Sequence, residues 1–453
     1  MENKIYDCHS SNNYTFKMLL ISILFLLNSI YLVFVEQSFY SFFANVFFGM
    51  LVLFFRSNKL DCLLTYTIGV FFVVIFFEYW SNFYGGSYFL GRMSDDWQYD
   101  VLWSYGYVEK YGFSPFYLVE HLNDIASNLG YLHNSKGYVY VVILFRGFGD
   151  LFDGYSTFVA RIFNVYLLVV CASYAAKIIR QTVGRINVAP VIYAVTLFPV
   201  MMYTAVHVFR DILVASMILI YISNFLELKV SIKERHVLKL TSLLVMVLAL
   251  VVVSSLRSSV VIMLVLLSLI AILPKKQLKL FSIIITPIAL FIFFNKFNDE
   301  AKEIMRLSAD YDALNASRFG YVGRQIFELP KYLGVFPRIS YLVLTPVPIF
   351  TSFHQFYTSL SAIMQVLFVP FLISSLMNKN IEGAIKVFFL GLFMAVAMST
   401  ATFRHVVMYV PLGIVLIFVQ LQYTPFILNR AYLKKLILTI AFLVFSILFA
   451  IVL

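Results

Sequence analysis

The sequence predicts an all-α, polytopic integral membrane protein with about 12–14 transmembrane helices. The first observation is composition: 61% of the 453 residues are hydrophobic and only 13% are charged, whereas soluble domains carry about 25% charged residues. The second is spacing, since apolar windows of about twenty residues, enough to cross a bilayer core, recur along the chain. Met18–Val35 and Val237–Ser254 are two of them. Residues 1–453 are therefore expected to form a single transmembrane domain.

The first three helices are predicted at about 17–35, 38–55 and 62–79. The link between the second and the third carries Arg56 and Lys59, and positively charged links stay in the cytoplasm. The N-terminus is therefore predicted to be cytoplasmic, and residues 80–156 to form a first outer loop. Within that loop residues 137–153 are apolar but short. We interpret them as an interfacial or re-entrant segment, because a crossing there would place the later basic links outside.

The remaining topology follows from the same rule. Basic links after about residues 176, 228 and 274 are predicted to be cytoplasmic, and residues 296–356 to form a second outer loop. About thirteen crossings result, with the C-terminus outside. The later helices are predicted at about 157–176, 188–206, 211–228, 239–256, 258–274, 280–295, 357–376, 385–402, 405–422 and 435–452.

Composition and motifs argue against several functions. The formal net charge of +11 does not indicate nucleic-acid binding, because Lys and Arg lie mainly in the short links that set membrane topology. The three cysteines, Cys8, Cys62 and Cys171, have no spacing typical of a metal site or a disulfide framework. Met18–Val35 is long and lacks a small-residue cleavage site, so we interpret it as a retained helix and not as a signal peptide.

Three arginines, Arg210, Arg257 and Arg404, each interrupt an apolar stretch at a turn predicted to face the outer side. Residues 239–274 would span about 54 Å as one helix, which exceeds a bilayer core of about 30 Å, so we predict a hairpin with Arg257 at its turn. The positive-inside rule disfavours arginine on the outer side, and charges within membrane helices are usually functional. The alternative is that each arginine snorkels to lipid headgroups.

The first outer loop contains a cluster of carboxylates. Asp95, Asp96 and Asp100 lie within ten residues, although only 23 residues of the chain are acidic. The alternatives are a solvated acidic loop or a weak divalent-cation site; no His-x-His or Cys-rich pattern supports a transition metal, and we expect none. A fourth carboxylate, Asp211, begins a helix, where it can cap, and it is predicted to pair with Arg210.

The second outer loop contributes further basic residues. Arg318 and Arg324 flank the run Phe-Gly-Tyr-Val-Gly, whose glycines permit a close backbone approach to a ligand. The alternative is an ordinary turn. His354 lies near the end of this loop.

These groups fit glycosyl transfer from a polyprenyl-diphosphate donor. The attacking hydroxyl needs a base, which a carboxylate or a histidine within hydrogen-bond reach can supply, and the leaving diphosphate needs cations with paired donors. The residues predicted to be catalytic are Asp95, Asp96, Arg210, Arg257 and Arg404. The residues predicted to bind substrate are His207, Asp211, Arg318, Arg324, His354 and His405.

The hydropathy, the two long outer loops, the acidic pair and the run Phe198-Pro199 to Phe209-Arg210-Asp211 resemble bacterial oligosaccharide repeat-unit polymerases of the O-antigen polymerase type. Related exopolysaccharide polymerases look similar. The resemblance implies a fold like that of the C-type glycosyltransferases (GT-C), with short interfacial helices in the outer loops, in the bacterial inner membrane. It also implies undecaprenyl-diphosphate-linked oligosaccharide as substrate and no cofactor. Membrane lipid and a chain-length regulator protein are candidate partners.

Three other functions remain open from the sequence. A C-type glycosyltransferase that decorates a glycan from a polyprenyl-phosphate sugar also uses acidic residues in the first outer loop. An O-antigen ligase shares the arginine and histidine outer loop. A lipid-linked oligosaccharide flippase would have a similar number of helices, but it would need charges across the membrane and not at one face.

Overall fold

The computed structural model describes residues 2–55, 58–83, 95–112, 136–184, 186–233, 240–272, 320–329, 331–344, 353–399, 403–423 and 430–452. Every regular element in these ranges is a helix. Within these ranges, six helices are long and apolar enough to cross a membrane, or seven if the bent pair Ala189–Thr196 and Pro199–Val206 counts as one span. The prediction of an all-helical, multi-pass membrane protein is confirmed. The helix predicted at 280–295 lies outside the described residues.

The chain divides into two compact units. The first comprises Met1–Asn224 with Lys239–Val261, and the second comprises Phe225–Leu238 with Ile262–Leu453.

The first unit is built around one long buried helix. Its elements in order are α1 (Glu2–Ile30), a π-helical turn (Tyr31–Val35), α2 (Phe39–Leu53), α3 (Lys59–Phe83), α4 (Asp95–Trp97), a second π-helical turn (Gln98–Trp103), α5 (Ser104–Tyr111), α6 (Lys136–Gly149), α7 (Thr157–Val183), α8 (Ala189–Thr196), α9 (Pro199–Val206), α10 (Asp211–Lys233), which continues into the second unit, and α11 (Leu240–Leu256). Helix α7 packs on α2, α3, α6, α8 and α9. These contacts explain why its sequence is apolar on nearly all sides.

Short polar side chains begin two of these helices. Ser38 accepts a hydrogen bond from the Ser41 amide at the start of α2, and Ser156 accepts one from the Phe158 amide at the start of α7. The Asp153 carboxylate also accepts the amide N–H groups of Phe39 and Tyr40, the latter at 3.0 Å. A carboxylate at a helix N-terminus satisfies donors that the helix cannot use and interacts favourably with its dipole. The segment just before α7 is thereby fixed to α2.

The segment interpreted as interfacial forms α6. Its 14 residues extend about 21 Å as a helix, which is shorter than the hydrocarbon core of about 30 Å. The length of α6 is thus in keeping with a segment that does not cross the membrane.

The helix predicted at 188–206 is instead broken in two. Helices α8 and α9 are bent by 59° relative to one another. Pro199 opens α9, and Phe198 before it is extended, with φ −62° and ψ 127°. Proline lacks a backbone N–H and disfavours the helical region in the residue before it, so the bend is a local property of this sequence.

Two of the three predicted arginine interruptions lie at breaks between α-helices, and the third, at Arg404, lies in a 3-10 helix. Helix α9 ends at Val206 and α10 begins at Asp211, while α11 ends at Leu256 and the next helix begins at Ser258. Each break leaves an arginine outside regular helix, Arg210 in the first and Arg257 in the second.

The remaining helices are α12 (Ser258–Ile272), α13 (Gly320–Glu328), α14 (Lys331–Leu344), α15 (Phe353–Met377), α16 (Gly383–Ser399), a 3-10 helix (Phe403–Met408), α17 (Val410–Tyr423) and α18 (Arg430–Val452). In the second unit α14 packs on α13, α15, α16 and α18, and α15 packs on α17 and α18. Polar side chains also pair within this unit: Tyr409 donates to Gln365 at 2.7 Å, and Asn378, just after α15, donates to Gln420 at 2.8 Å.

Helix α3 approaches α7 closely at Gly69. A Cβ added there would lie 2.5 Å from Cγ1 of Val165 on α7. We expect Gly69→Ala to lower the free energy of unfolding by about 1–3 kcal/mol through overpacking, measured by thermal unfolding in detergent. Val165→Ala in the same chain should recover part of this loss, because it removes the γ-methyl groups that clash.

Gly106→Ala is the matched control, since nothing lies within 4 Å of a Cβ at that helical position. Its unfolding temperature should be unchanged or slightly raised. Equal unfolding temperatures for Gly69→Ala and the wild type would contradict the close approach of α3 and α7.

Candidate functional site

The site lies at the break between α9 and α10, a segment that we call the first tip (His207–Arg210). The last carbonyl groups of a helix have no partner within it, and irregular backbone is tolerated in a membrane protein only where such groups are satisfied. Two side chains of α7 supply the donors. Arg161 Nη1 donates to the Val206 carbonyl at 2.9 Å. Asn164 Nδ2 donates to the carbonyls of His207 and Phe209 at 2.7 and 3.1 Å.

A buried acid and histidine meet at the first tip. Oδ2 of Asp96 lies 3.1 Å from Nδ1 of His207, and neither side chain has any exposed surface. The other oxygen of Asp96 accepts the Trp97 amide at 3.0 Å. The histidine ring also contacts the rings of Phe76 and Tyr203, with centroids 5.3 and 4.8 Å away.

The surroundings of His207 favour its neutral form. Burial lowers the pKa of the imidazole below its ordinary value, against the opposing effect of the nearby Asp96 carboxylate. With its proton on Nδ1, the neutral imidazole donates to Oδ2 of Asp96.

The third carboxylate of the acidic segment (Asp95–Asp100) is held differently. Asp100 lies in the π-helical turn Gln98–Trp103, a conformation that is frequent at functional sites. Its carboxylate accepts a hydrogen bond from the Tyr155 hydroxyl and lies 3.6 Å from Nη2 of Arg146. Arg146 also donates to the Asp100 carbonyl and to Ser104. Asp100 therefore anchors the acidic segment to α6 and to the start of α7.

A second tip, formed by Leu256 and Arg257 at the end of α11, meets the first. Nη2 of Arg257 lies 3.0 Å from Oδ1 of Asp211, and Nη1 of Arg210 donates to the Leu256 carbonyl at 3.0 Å. The sequence predicts that Asp211 pairs with Arg210, its neighbour in the chain. An ion pair of Asp211 joins it to the arginine of the second tip.

The structure brings together five of the residues predicted for the site, all within the first unit. These are Asp96, His207, Arg210, Asp211 and Arg257.

The other predicted site residues stand elsewhere. The Asp95 and His354 side chains and the whole of Arg318 lie outside the described residues. Arg324 is exposed on α13 and pairs with Glu328 at 2.8 Å. Arg404 and the buried His405 lie in the 3-10 helix of the second unit.

Sequence reasoning missed four residues that hold this site, namely Arg146, Tyr155, Arg161 and Asn164. Arg161 is fully buried, and its guanidinium lies 3.6 Å from the centroid of the Phe77 ring. A signal was present, because Arg161 and Asn164 are polar residues three apart in the otherwise apolar first half of α7. That spacing places both on one face of a helix.

Within the described ranges, no group of three or more His, Cys, Asp or Glu side chains is placed to hold a metal ion.

No protein-family model, curated protein or solved structure matches this chain.

The ion pair between the tips should contribute to stability. The Asp211 side chain is only 2% exposed, so Arg257→Met leaves a buried carboxylate without this partner, a change that typically costs about 3–5 kcal/mol. We expect a clear fall in unfolding temperature for Arg257→Met and a smaller fall for the double variant Arg257→Met, Asp211→Asn, which removes both charges.

The exposed pair of Arg324 and Glu328 gives the control. Arg324→Met should change stability by less than about 1 kcal/mol. Additive effects of the two substitutions at Arg257 and Asp211 would show that this pair is not coupled.

The lowered pKa of His207 predicts how stability depends on pH. The unfolded chain binds a proton at His207 below about pH 6.5, while the folded protein resists protonation there. Stability should therefore be complete above that pH and fall as the pH drops from about 6.5 towards 5. His207→Gln should lose this part of the pH dependence of the unfolding temperature. A wild-type protein that becomes more stable over the same interval would contradict a neutral His207.

Proposed function

We propose that this protein is a membrane glycosyltransferase that joins polyprenyl-diphosphate-linked oligosaccharide repeat units into a polysaccharide, on the outer face of a bacterial inner membrane. One observation carries the proposal. The helix break that holds the buried Asp96–His207 pair also holds Arg210, and Arg210 and Asp211 at its end contact the second tip with Arg257.

The arginines suit the leaving group of such a reaction. In the transfer step the acceptor oxygen bonds to the anomeric carbon, and the bond from that carbon to the diphosphate oxygen breaks. The electron pair leaves with the diphosphate, whose added charge needs cations already in position. Arg210 and Arg257 are held near one another by Leu256 and Asp211, so little reorganisation would be required. Planar guanidinium groups can each offer two N–H donors to a phosphate.

The acid–histidine pair suits the acceptor. The proton released by the acceptor hydroxyl goes to Asp96, which acts as the general base. The neutral His207 fixes the orientation of this carboxylate through its Nδ1–H group. Because both side chains are buried, an acceptor must uncover Asp96 when it enters. The same burial keeps water from competing with the sugar hydroxyl.

The roles proposed for the remaining residues rest on the sequence. Arg404 and His405 of the second unit are proposed to assist diphosphate binding. Arg318 and Arg324 are proposed to contact the oligosaccharide being transferred. A lipid-linked donor accounts for a transfer site built inside a polytopic membrane protein.

A deletion strain examined by glycolipid gel tests the proposal. Loss of a polymerase leaves core lipid that carries single repeat units. Loss of a ligase leaves bare core with polymer on the carrier lipid, and loss of a decorating transferase leaves intact ladders with altered serology. Either of the last two patterns, or no change in the ladder, would overturn the proposed reaction.

Complementation of the deletion strain tests the role of Arg257. Arg257→Ala should abolish polymer and leave single repeat units, and Arg257→Lys should restore little, because an ammonium group cannot replace paired planar donors. Lys434→Ala, in an exposed part of α18, is the control and should restore the ladder. Because Arg257→Ala also removes the partner of Asp211, polymer is compared per amount of each variant found on immunoblots of membranes. A normal ladder from Arg257→Ala would remove this residue from the reaction.

A further inference from the structure

Helix α7 presents two side chains to the first tip. Together they donate hydrogen bonds to three backbone carbonyl groups. Arg161 donates a hydrogen bond to the last carbonyl of α9, and Asn164 donates hydrogen bonds to the carbonyls of His207 and Phe209. The two residues are three apart in sequence and so lie on one face of the helix. The backbone on either side of His207 is therefore fixed from α7.

We propose that Arg161 and Asn164 are positioning residues of the transfer reaction, which set the place of the first tip so that His207 meets Asp96 and Arg210 meets the second tip. This inference rests on the function proposed above. Neither residue was predicted from the sequence to belong to the site, and neither needs to touch the substrate.

The chemistry of Asn164 makes its role specific. Its side-chain oxygen accepts a hydrogen bond from the Tyr138 hydroxyl at 3.1 Å, so its N–H groups must point to the two carbonyls of the first tip. An aspartate has the same shape but no donor. Placed here it would set a negative charge against two carbonyl oxygens.

Packing alone does not explain why a charged side chain occupies position 161. A fully buried guanidinium is costly, and an apolar side chain of similar volume would usually fill such a place with less loss. Neutral donors could also satisfy one carbonyl. Arg161 interacts electrostatically with both Asp96 and Asp100, so its fixed positive charge favours the ionised carboxylate that a general base requires.

The two residues therefore act in separable ways. Asn164 controls only where the first tip lies, whereas Arg161 controls its place and also the charge state of Asp96. A misplacement of about 1 Å in reacting groups can lower a rate by about 100-fold. Loss of the Arg161 charge should in addition change the pH at which Asp96 becomes protonated.

The experiment uses the full-length protein in lipid nanodiscs with an undecaprenyl-diphosphate-linked oligosaccharide as both donor and acceptor. The rate of polymer formation is followed as a function of pH. Asn164→Leu should lower kcat by about 100-fold with the acidic limb of the pH profile unmoved. Asn164→Asp should lower kcat as well and shift that limb to higher pH, because it adds a negative charge beside the first tip. Arg161→Met should lower kcat and shift that limb to higher pH. Arg161→Lys should keep the limb near its wild-type position, because the charge remains.

Arg180→Met is the matched control on the same helix. Arg180 lies near the other end of α7 and donates to Asn58, away from the first tip in sequence. This variant should keep both the rate and the pH profile of the wild type.

Hydrogen exchange separates this inference from the proposed function. Backbone amides of residues 206–210 should exchange faster in Arg161→Met and Asn164→Leu than in the wild type or in Arg180→Met. Wild-type exchange there, or a wild-type rate and pH profile in Arg161→Met, would overturn the positioning role. A wild-type protein that forms no polymer would instead defeat the proposed function and the catalytic consequence, while the exchange data would still decide whether α7 holds the first tip.

Discussion

The structure of the first unit depends on satisfying backbone carbonyls where a helix stops inside an apolar environment. Four residues between Val206 and Asp211 leave the helical path, and unpaired carbonyls in such surroundings cost several kcal/mol each. Arg161 and Asn164 remove that cost from within a neighbouring helix. The helix break and the two side chains that satisfy its carbonyls thus depend on one another. The arrangement of the acid, the histidine and the arginines follows from this contact.

Charges in this part of the molecule occur with local partners. Asp96 faces a histidine, Asp100 faces Arg146 and a tyrosine, and Asp211 faces Arg257. Burying a lone charge is very costly, whereas a charge that is paired and hydrogen-bonded can be kept. Each pair joins segments far apart in sequence, so the same contacts that hold the charges also hold the acidic segment and the two tips together.

Local signals in the sequence predicted much of the fold. The starts of α7 and α10 and the end of α11 coincide with the predicted ones, because caps, apolar length and a charged interruption are all properties of neighbouring residues. The bend before Pro199 has a local sequence signal in the proline itself, but the continuous apolar run favoured one helix at 188–206. The partner of Asp96 lies 111 residues away, and only tertiary packing selects His207 among the candidates. Arg161 taken alone is a weak signal, because a single arginine near the end of an apolar helix also fits snorkelling to headgroups.

The hydrogen bonds from the start of α2 to Asp153 have a consequence for where related chains can differ in length. It fixes the downstream end of the long first loop three residues before Ser156 begins α7. Insertions or deletions upstream of Asp153 can then be absorbed without displacing that helix, since surface loops tolerate changes in length at small entropic cost. Relatives of this protein should therefore differ most in length between the acidic segment and α6, and least between Asp153 and the first turn of α7.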